Sequence, residues 1–292
     1  MTALEKYIYR HLHLLRRLTQ IIALAFVFLV PVLNKIGFNQ IIGTFYSISI
    51  GNLDVVDPAL VLQNILLTKQ IYFPLFLAGF IPLIITMLAG KVFCSWVCPF
   101  NLLAEVTDKV RRFIRPKTVK IKNRNPKPQY YWLVFGTILS LVAILGIPII
   151  SLISMPGLIT GQAADLIFFG TLGGELFLVV FILLIEIFIA PRFWCKYACP
   201  VGATLSLLRF KNTLKIDFNV QECKCSTNHV LACHSACPIQ LDPRSPGIYP
   251  YCYNCGECVD ACRSNGQALN FKFHGNEFVQ IPEPKVVVPS TR

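Results

Sequence analysis

Long apolar runs alternate along the chain with short polar, mostly basic stretches. Ile71–Gly90 and Tyr130–Met155 contain no charged residue, and Leu166–Pro191 contains only Glu175 and Glu186. About 20 apolar residues in a helix, rising about 1.5 Å each, cross the hydrocarbon core of a bilayer. A fourth run, roughly Leu14–Leu33, carries Arg16 and Arg17 at its leading edge, where long side chains can snorkel to the interface. The pattern predicts four transmembrane helices. Arg16-Arg17 hints at a twin-arginine leader, but no small-x-small site follows the first run; Pro31-Val32-Leu33-Asn34-Lys35 comes instead, so the run is read as a retained span.

Charge sets the orientation. The N-terminal tail, the 91–127 connection and the segment after 191 hold 4, 10 and 11 Lys and Arg, whereas the 34–70 connection holds Lys35 and Lys69 and the 156–165 connection none. Basic loops stay in the cytoplasm, so both termini are expected there. The chain is 54% hydrophobic and only 14% charged, against about 25% in soluble domains, which excludes an ordinary soluble enzyme. The net charge of +12 belongs to this topology rather than to nucleic-acid binding. All 12 cysteines fall at or beyond the cytoplasmic ends of the second and fourth runs, in a reducing compartment that favours metal-ligating thiolates over disulfides.

The chain also repeats itself. Cys94-Ser95-Trp96-Val97-Cys98-Pro99 closes the second run and Cys195-Lys196-Tyr197-Ala198-Cys199-Pro200 closes the fourth, 101 residues later. Two parallel two-helix repeats would bring Cys94, Cys98, Cys195 and Cys199 together near one face. Pro99 and Pro200 suit the first turn of a helix, which places Cys98 and Cys199 at a helix N-terminus, where the dipole lowers a thiol pKa. After the first motif, Leu102, Leu103, Val106, Val110 and Phe113 recur at helical spacing among charges. In the 34–70 connection, Asp57-Pro58 reads as N-cap and first residue of a helix with Leu60, Val61, Asn64 and Ile65 on one face. That helix is expected either along the outer interface or packed on the spans.

Beyond Arg209 the apolar runs stop and eight cysteines crowd together. Cys252-x2-Cys255-x2-Cys258-x3-Cys262 is the cubane-cluster spacing of bacterial ferredoxins, whose fourth cysteine ligates the neighbouring cluster. The other group, Cys223-x-Cys225-x7-Cys233-x3-Cys237-Pro238, keeps that tail but has an altered head. The usual exchange assigns Cys252, Cys255, Cys258 and Cys237 to one [4Fe–4S] cluster, and Cys223, Cys225, Cys233 and Cys262 to a second. A zinc site needs four ligands without the run of three. His229 and His234 read as solvated loop residues, and Arg263 stands where the matching half has Pro238.

No histidine lies within a span, so haem is not expected. Glu175 and Glu186, eleven residues apart, share one face of the fourth span. A carboxylate at membrane depth is a candidate proton acceptor, and Glu186 is the nearer to the cysteines; either acid could instead sit near a helix end or bond a neighbouring helix.

With its paired C-x-x-x-C-P motifs, its C-terminal cysteine module and Asp57-Pro58 with Leu62-Gln63, the chain resembles the NapH/MauN group of ferredoxin-type membrane proteins along nearly its whole length. The expected fold is an α-helical membrane protein, residues 1–210, of four transmembrane helices in two tandem two-helix repeats. A small α+β dicluster ferredoxin module, 211–278, and a tail, 279–292, follow. The resemblance implies a quinol dehydrogenase subunit of the bacterial inner membrane. It would pass electrons from quinol, through an iron–sulfur partner subunit, toward a periplasmic reductase such as nitrate reductase. Cys94, Cys98, Cys195, Cys199 and Glu186 are the residues expected to serve quinol oxidation. The alternatives are a metal-reducing or assembly factor for a respiratory enzyme, as in oxidase-maturation membrane ferredoxins, and a structural anchor for a soluble reductase.

Overall fold

In the computed structural model, which describes residues 11–38, 40–114, 125–210, 212–223, 232–245, 247–263 and 267–273, the chain is mostly helical. It opens with α1 (Leu12–Lys35). A three-stranded antiparallel meander follows, β1 (Ile41–Thr44), β2 (Ser47–Ile50) and β3 (Leu53–Val56), with Ile41 opposite Ile50 and Ser47 opposite Val56. Then come α2 (Pro58–Thr68), α3 (Phe73–Ala78), α4 (Phe80–Ala89), α5 (Val92–Trp96) and α6 (Pro99–Ile114). The part around the second motif is built of α7 (Pro128–Leu145), α8 (Ile149–Ile153), α9 (Met155–Phe169), α10 (Glu175–Phe188), a π-turn at Trp194–Ala198 and α11 (Pro200–Leu207). The remainder is β4 (Lys215–Phe218), α12 (Ala232–Ala236), α13 (Glu257–Arg263) and β5 (Leu269–Lys272), with β4 and β5 paired antiparallel.

Among the described residues, α1 and α7 are long and apolar enough to cross a membrane. The expected runs differ in continuity. Phe73–Ala89 passes through Gly79, between α3 and α4, with its backbone still in the right-handed helical region (φ −76, ψ −10). Tyr130–Met155 ends as a helix at Leu145, where Gly146 takes a left-handed conformation (φ 66) and Ile147-Pro148 cannot continue the ladder. Leu166–Pro191 is interrupted at Gly170 (φ 68), so Leu166–Phe169 belong to α9 and the next helix starts at Glu175. The supposed 156–165 link is therefore the body of α9, a correction that the hydropathy pattern hid because α9 is apolar almost throughout.

The two short helices, α2 and α9, both begin with proline in their first turn and point their N-termini inward. Asp57 caps α2, its Oδ1 accepting from the Ala59 N–H at 2.9 Å, as the sequence predicts. Yet α2 does not lie along an outer surface. Ala59 is fully buried against Val142, Ile150, Val201 and Leu205, and the Gln63 Nε2 donates to the Ser151 hydroxyl at 2.7 Å. On α9, Met155 and Leu158 are buried against Phe100, Ala104, Val179 and Ile182. The β1–β2 turn reaches into the same interior: the Phe45 ring meets Phe93 edge-on at 5.9 Å, and the Tyr46 hydroxyl donates to the Ser151 carbonyl at 2.5 Å.

The first helix and α6 meet through polar side chains. The apolar stripe of α6 faces outward, Phe113 being 89% exposed, while Phe100, Asn101, Ala104, Glu105 and Thr107 are buried. The polar residues go inside because Arg16, 2% exposed, is there to meet them. It does not snorkel but is ion-paired with Glu105 and Glu257, and Arg17 pairs with Glu105 as well. The expected tail 279–292 lies outside the described residues, as do Cys225 and His229.

Candidate functional site

The four motif cysteines lie in one region of the fold, as the internal repeat predicts. Cys94 and Cys199 pack on the cluster around Ala59, Val142 and Val201, while Cys98 and Cys195 pack on the cluster around Phe100, Met155 and Ile182. Each cluster thus receives one cysteine from each half, and the inward ends of α2 and α9 supply the walls. Pro99 and Pro200 open α6 and α11, with Cys199 as the extended N-cap residue (φ −68, ψ 114). The expected lowering of the thiol pKa is not found. Burial pushes Cys98 up to about 12 and raises Cys199, outweighing the backbone N–H groups of residues 100–101 and 201–202 that act the other way.

Two cations accompany the quartet, and sequence reasoning missed both. Lys91 and Arg192 each stand three residues before the first cysteine of their motif, 101 residues apart, and are 6% and 1% exposed. The signal was in the repeat itself, which extends three residues further back than the cysteines. Arg192 is fully partnered, its Nε donating to the Asp108 Oδ2 at 2.6 Å and its Nη1 to the Asn101 Oδ1 at 2.7 Å.

The C-terminal module is fastened to this quartet. The Ser95 hydroxyl donates to the Tyr253 carbonyl at 2.8 Å, the Asn254 Nδ2 to the Ala89 carbonyl at 3.0 Å, and the Lys196 Nζ to the Ile239 carbonyl at 3.1 Å. Tyr251 bridges the two parts, its ring 5.4 Å from Tyr131 and 5.8 Å from Tyr197. One buried core runs through both, from Tyr131, Phe135 and Ala203 to Ile216, Tyr253 and Val259.

Within the module, Cys237, Cys252, Cys255 and Cys258 line a single small cavity whose other walls are Ile216, Ile239, Leu241, Pro243, Ile248 and Tyr253. These are the four residues that the ferredoxin spacing groups together. The Leu241 N–H donates to the Cys237 Sγ at 3.4 Å, and burial raises Cys237 to about 11. Among the described residues no group of three or more His, Cys, Asp or Glu side chains stands close enough together to hold a single metal ion. Of the second group, Cys233 and Cys262 are buried on the packed helices α12 and α13 and Cys223 is half-buried, while Cys225 lies outside the described residues.

Glu186, 2% exposed, sits at the end of α10, its Oε1 accepting from the Trp194 N–H at 3.3 Å and its Oε2 without a partner. Glu175 is at the opposite end of α10 and accepts from the Gln162 Nε2 at 3.3 Å. His234 is no solvated loop residue: it is buried on α12 with neither ring nitrogen partnered.

A family model describing a 4Fe-4S binding domain matches residues 70–118 and 172–216, one stretch around each C-x-x-x-C-P motif and neither reaching the cysteines of the module. The chain is 30% identical over 230 residues to the methylamine utilization ferredoxin-type protein MauN of Paracoccus denitrificans, covering 77% of this chain and 75% of that one. It is 29% identical over 230 residues to the ferredoxin-type protein NapH of Escherichia coli, covering 74% and 75%. An uncharacterized protein of Methanocaldococcus jannaschii is 27% identical over 194 residues, covering 65% and 76%. No solved structure matches the chain.

Proposed function

Because the chain belongs to the NapH/MauN family of ferredoxin-type proteins, we propose that it is a quinol dehydrogenase subunit of the bacterial inner membrane, relaying electrons toward a periplasmic reductase. The observation that carries this reading is the fastening of the Cys237, Cys252, Cys255 and Cys258 cavity onto the first C-x-x-x-C-P motif. A donor oxidised at the quartet and an acceptor in the module then share one rigid body.

Cys237, Cys252, Cys255 and Cys258 would hold one [4Fe–4S] cluster, and Cys223, Cys225, Cys233 and Cys262 a second. When bound, such clusters supply one-electron carriers. The apolar walls of the cavity exclude water, and the Leu241 N–H is directed at one of the ligand sulfurs. Four spans are supported by the outward apolar side chains of the shorter helices as well as the longer ones, including Leu77, Ile85, Leu133 and Phe177. The outward stripe of α6, with Lys109, Arg111 and Arg112 beside it, suits the inner membrane surface. Both termini and the module, 211–278, then lie in the cytoplasm, and the four-span part is 1–210.

Quinol oxidation releases two electrons and two protons. Quinol would be oxidised beside Cys94, Cys98, Cys195 and Cys199, its two electrons passing one at a time to the clusters that the module would hold, one proton going to the unpartnered Oε2 of Glu186 and the other to solvent. The electrons leave through an iron–sulfur partner subunit to the reductase.

The test is anaerobic purification, iron and sulfide assay, and spectroscopy of the clusters before and after quinol is added. The expected result is iron-replete protein bleached by quinol, with bleaching abolished in Cys94→Ser and Cys195→Ser. Undiminished reduction in those variants would remove the quartet from the path. Copper reduction that needs no quinol would favour the assembly-factor role instead.

A further inference from the structure

Lys91 is a buried ammonium without a carboxylate. Among the described residues it forms no salt bridge, and its hydrogen-bonding contacts are long ones to neutral oxygens, the Tyr131 hydroxyl and the Tyr251 carbonyl, both at 3.4 Å. Its Nζ lies 5.2 Å from the centre of the Tyr131 ring. Taking an ammonium out of water costs several kcal/mol unless another charge or a full set of hydrogen bonds replaces the solvent, and two marginal contacts and one ring face fall short of that. Its repeat counterpart, Arg192, shows what a satisfied cation at this position looks like, with Asp108 and Asn101 within 2.7 Å. The two halves have diverged here.

What surrounds Lys91 is sulfur. The thiols within its electrostatic reach are Cys94, Cys252, Cys199 and Cys195, three from the quartet and one from the module. Arg192 also stands at the junction, beside Cys195 and Tyr253, but its charge is already answered by Asp108, whereas Lys91 shares a cavity with Cys252 and has no carboxylate. A thiol that ligates metal is deprotonated outright, and a cluster held by four thiolates is anionic and becomes more so on reduction. The missing counter-charge of Lys91 therefore arrives when the module is loaded, and it grows when an electron does.

We propose that Lys91 is a counter-ion of the ligand set that contains Cys252, with which it lines one small cavity where the module meets the first C-x-x-x-C-P motif, so that it stabilises an added electron on that set and raises its reduction potential. The role rests on the cluster assignment made above. Lys91 acts through its charge alone: when a reductant delivers one electron to the cluster, no bond to Lys91 forms or breaks. A positive charge next to the accepting group raises its reduction potential, and in a low-dielectric interior that effect is screened far less than at the surface.

The test is a redox titration, followed by electron paramagnetic resonance, of the whole detergent-solubilised protein purified without air, as wild type, Lys91→Met and Lys91→Arg. Iron and sulfide are assayed in each. Lys91→Met is expected to keep its iron but to show at least a tenfold lower ratio of reduced to oxidised cluster at the same ambient potential, equivalent to 59 mV for a one-electron couple. Lys91→Arg is expected to titrate like the wild type. Iron-replete Lys91→Met on the wild-type curve overturns the proposal. Should Lys91→Met lose its iron, Lys91→Gln, which retains a donor for the Tyr251 carbonyl, makes the same comparison, and an unshifted curve there overturns it equally. Wild-type protein without iron overturns the cluster assignment itself, an outcome told apart by the assay.

Discussion

Arg16, near the start of the first long helix, is ion-paired with Glu257 at the start of α13, 241 residues away in sequence, and with Glu105 from α6. One buried guanidinium thereby ties three parts of the chain together. Removing one partner of a buried pair leaves the others uncompensated and costs about 3–5 kcal/mol. Arg16→Met is expected to lower the thermal midpoint in detergent accordingly, whereas Arg17→Met, at a side chain 35% exposed, is expected to cost less than about 1 kcal/mol. Equal midpoints for the two variants would deny Arg16 this role.

The same junction is expected to be acid-sensitive. Burial pushes Glu105 up, but Arg16, Gln20 and Arg17 outweigh it and hold the carboxyl below its ordinary value of 4.5. A carboxyl held low in the folded state contributes stability that is fully present above that ordinary value and is lost as the pH falls through the folded one. Unfolding free energy should therefore be insensitive to Glu105 at neutral pH and should fall on acidification below 4.5. Glu105→Gln, less stable at neutral pH, should show a shallower acid slope; parallel slopes would assign the sensitivity elsewhere.

Gly157 and Tyr46 test how the halves interlock. A Cβ on Gly157 would stand 2.0 Å from the Tyr46 ring. Overpacking of this kind costs about 1–3 kcal/mol, so Gly157→Ala should destabilise by that amount. In a Tyr46→Ala background the same substitution should cost almost nothing, which a double-mutant cycle measures directly.

For the module, Cys258→Ser and Cys262→Ser separate the two ligand sets. Each is expected to lose about four iron per chain while leaving a different cluster signal behind. Loss of the same signal in both variants would show that the assignment by exchange is wrong.

Much of this was legible in the sequence because it depended on spacing. The ferredoxin run of cysteines marked the four residues that line one cavity, and the 101-residue repeat marked the four that lie in one region of the fold. Asp57-Pro58 marked a helix start because capping is local chemistry. What stayed hidden depended on partners far along the chain. The inward face of α6 is polar because Arg16 needs Glu105, and no periodicity of α6 alone carries that information. The inward course of α9 was hidden for a related reason, since an apolar helix packed inside a bundle and one facing lipid have the same composition; for α2 the sequence left packing on the spans and the outer interface open, and the structure has the former. The thiol pKa values went the other way from expectation because a dipole is felt locally, whereas burial depends on the whole fold.

Lys91 and Arg192 hold matching positions of the internal repeat, yet Arg192 is answered by Asp108 while Lys91 meets only neutral oxygens. The two copies of the motif therefore sit in unlike charge environments, and the same substitution made at one and at the other is not the same experiment.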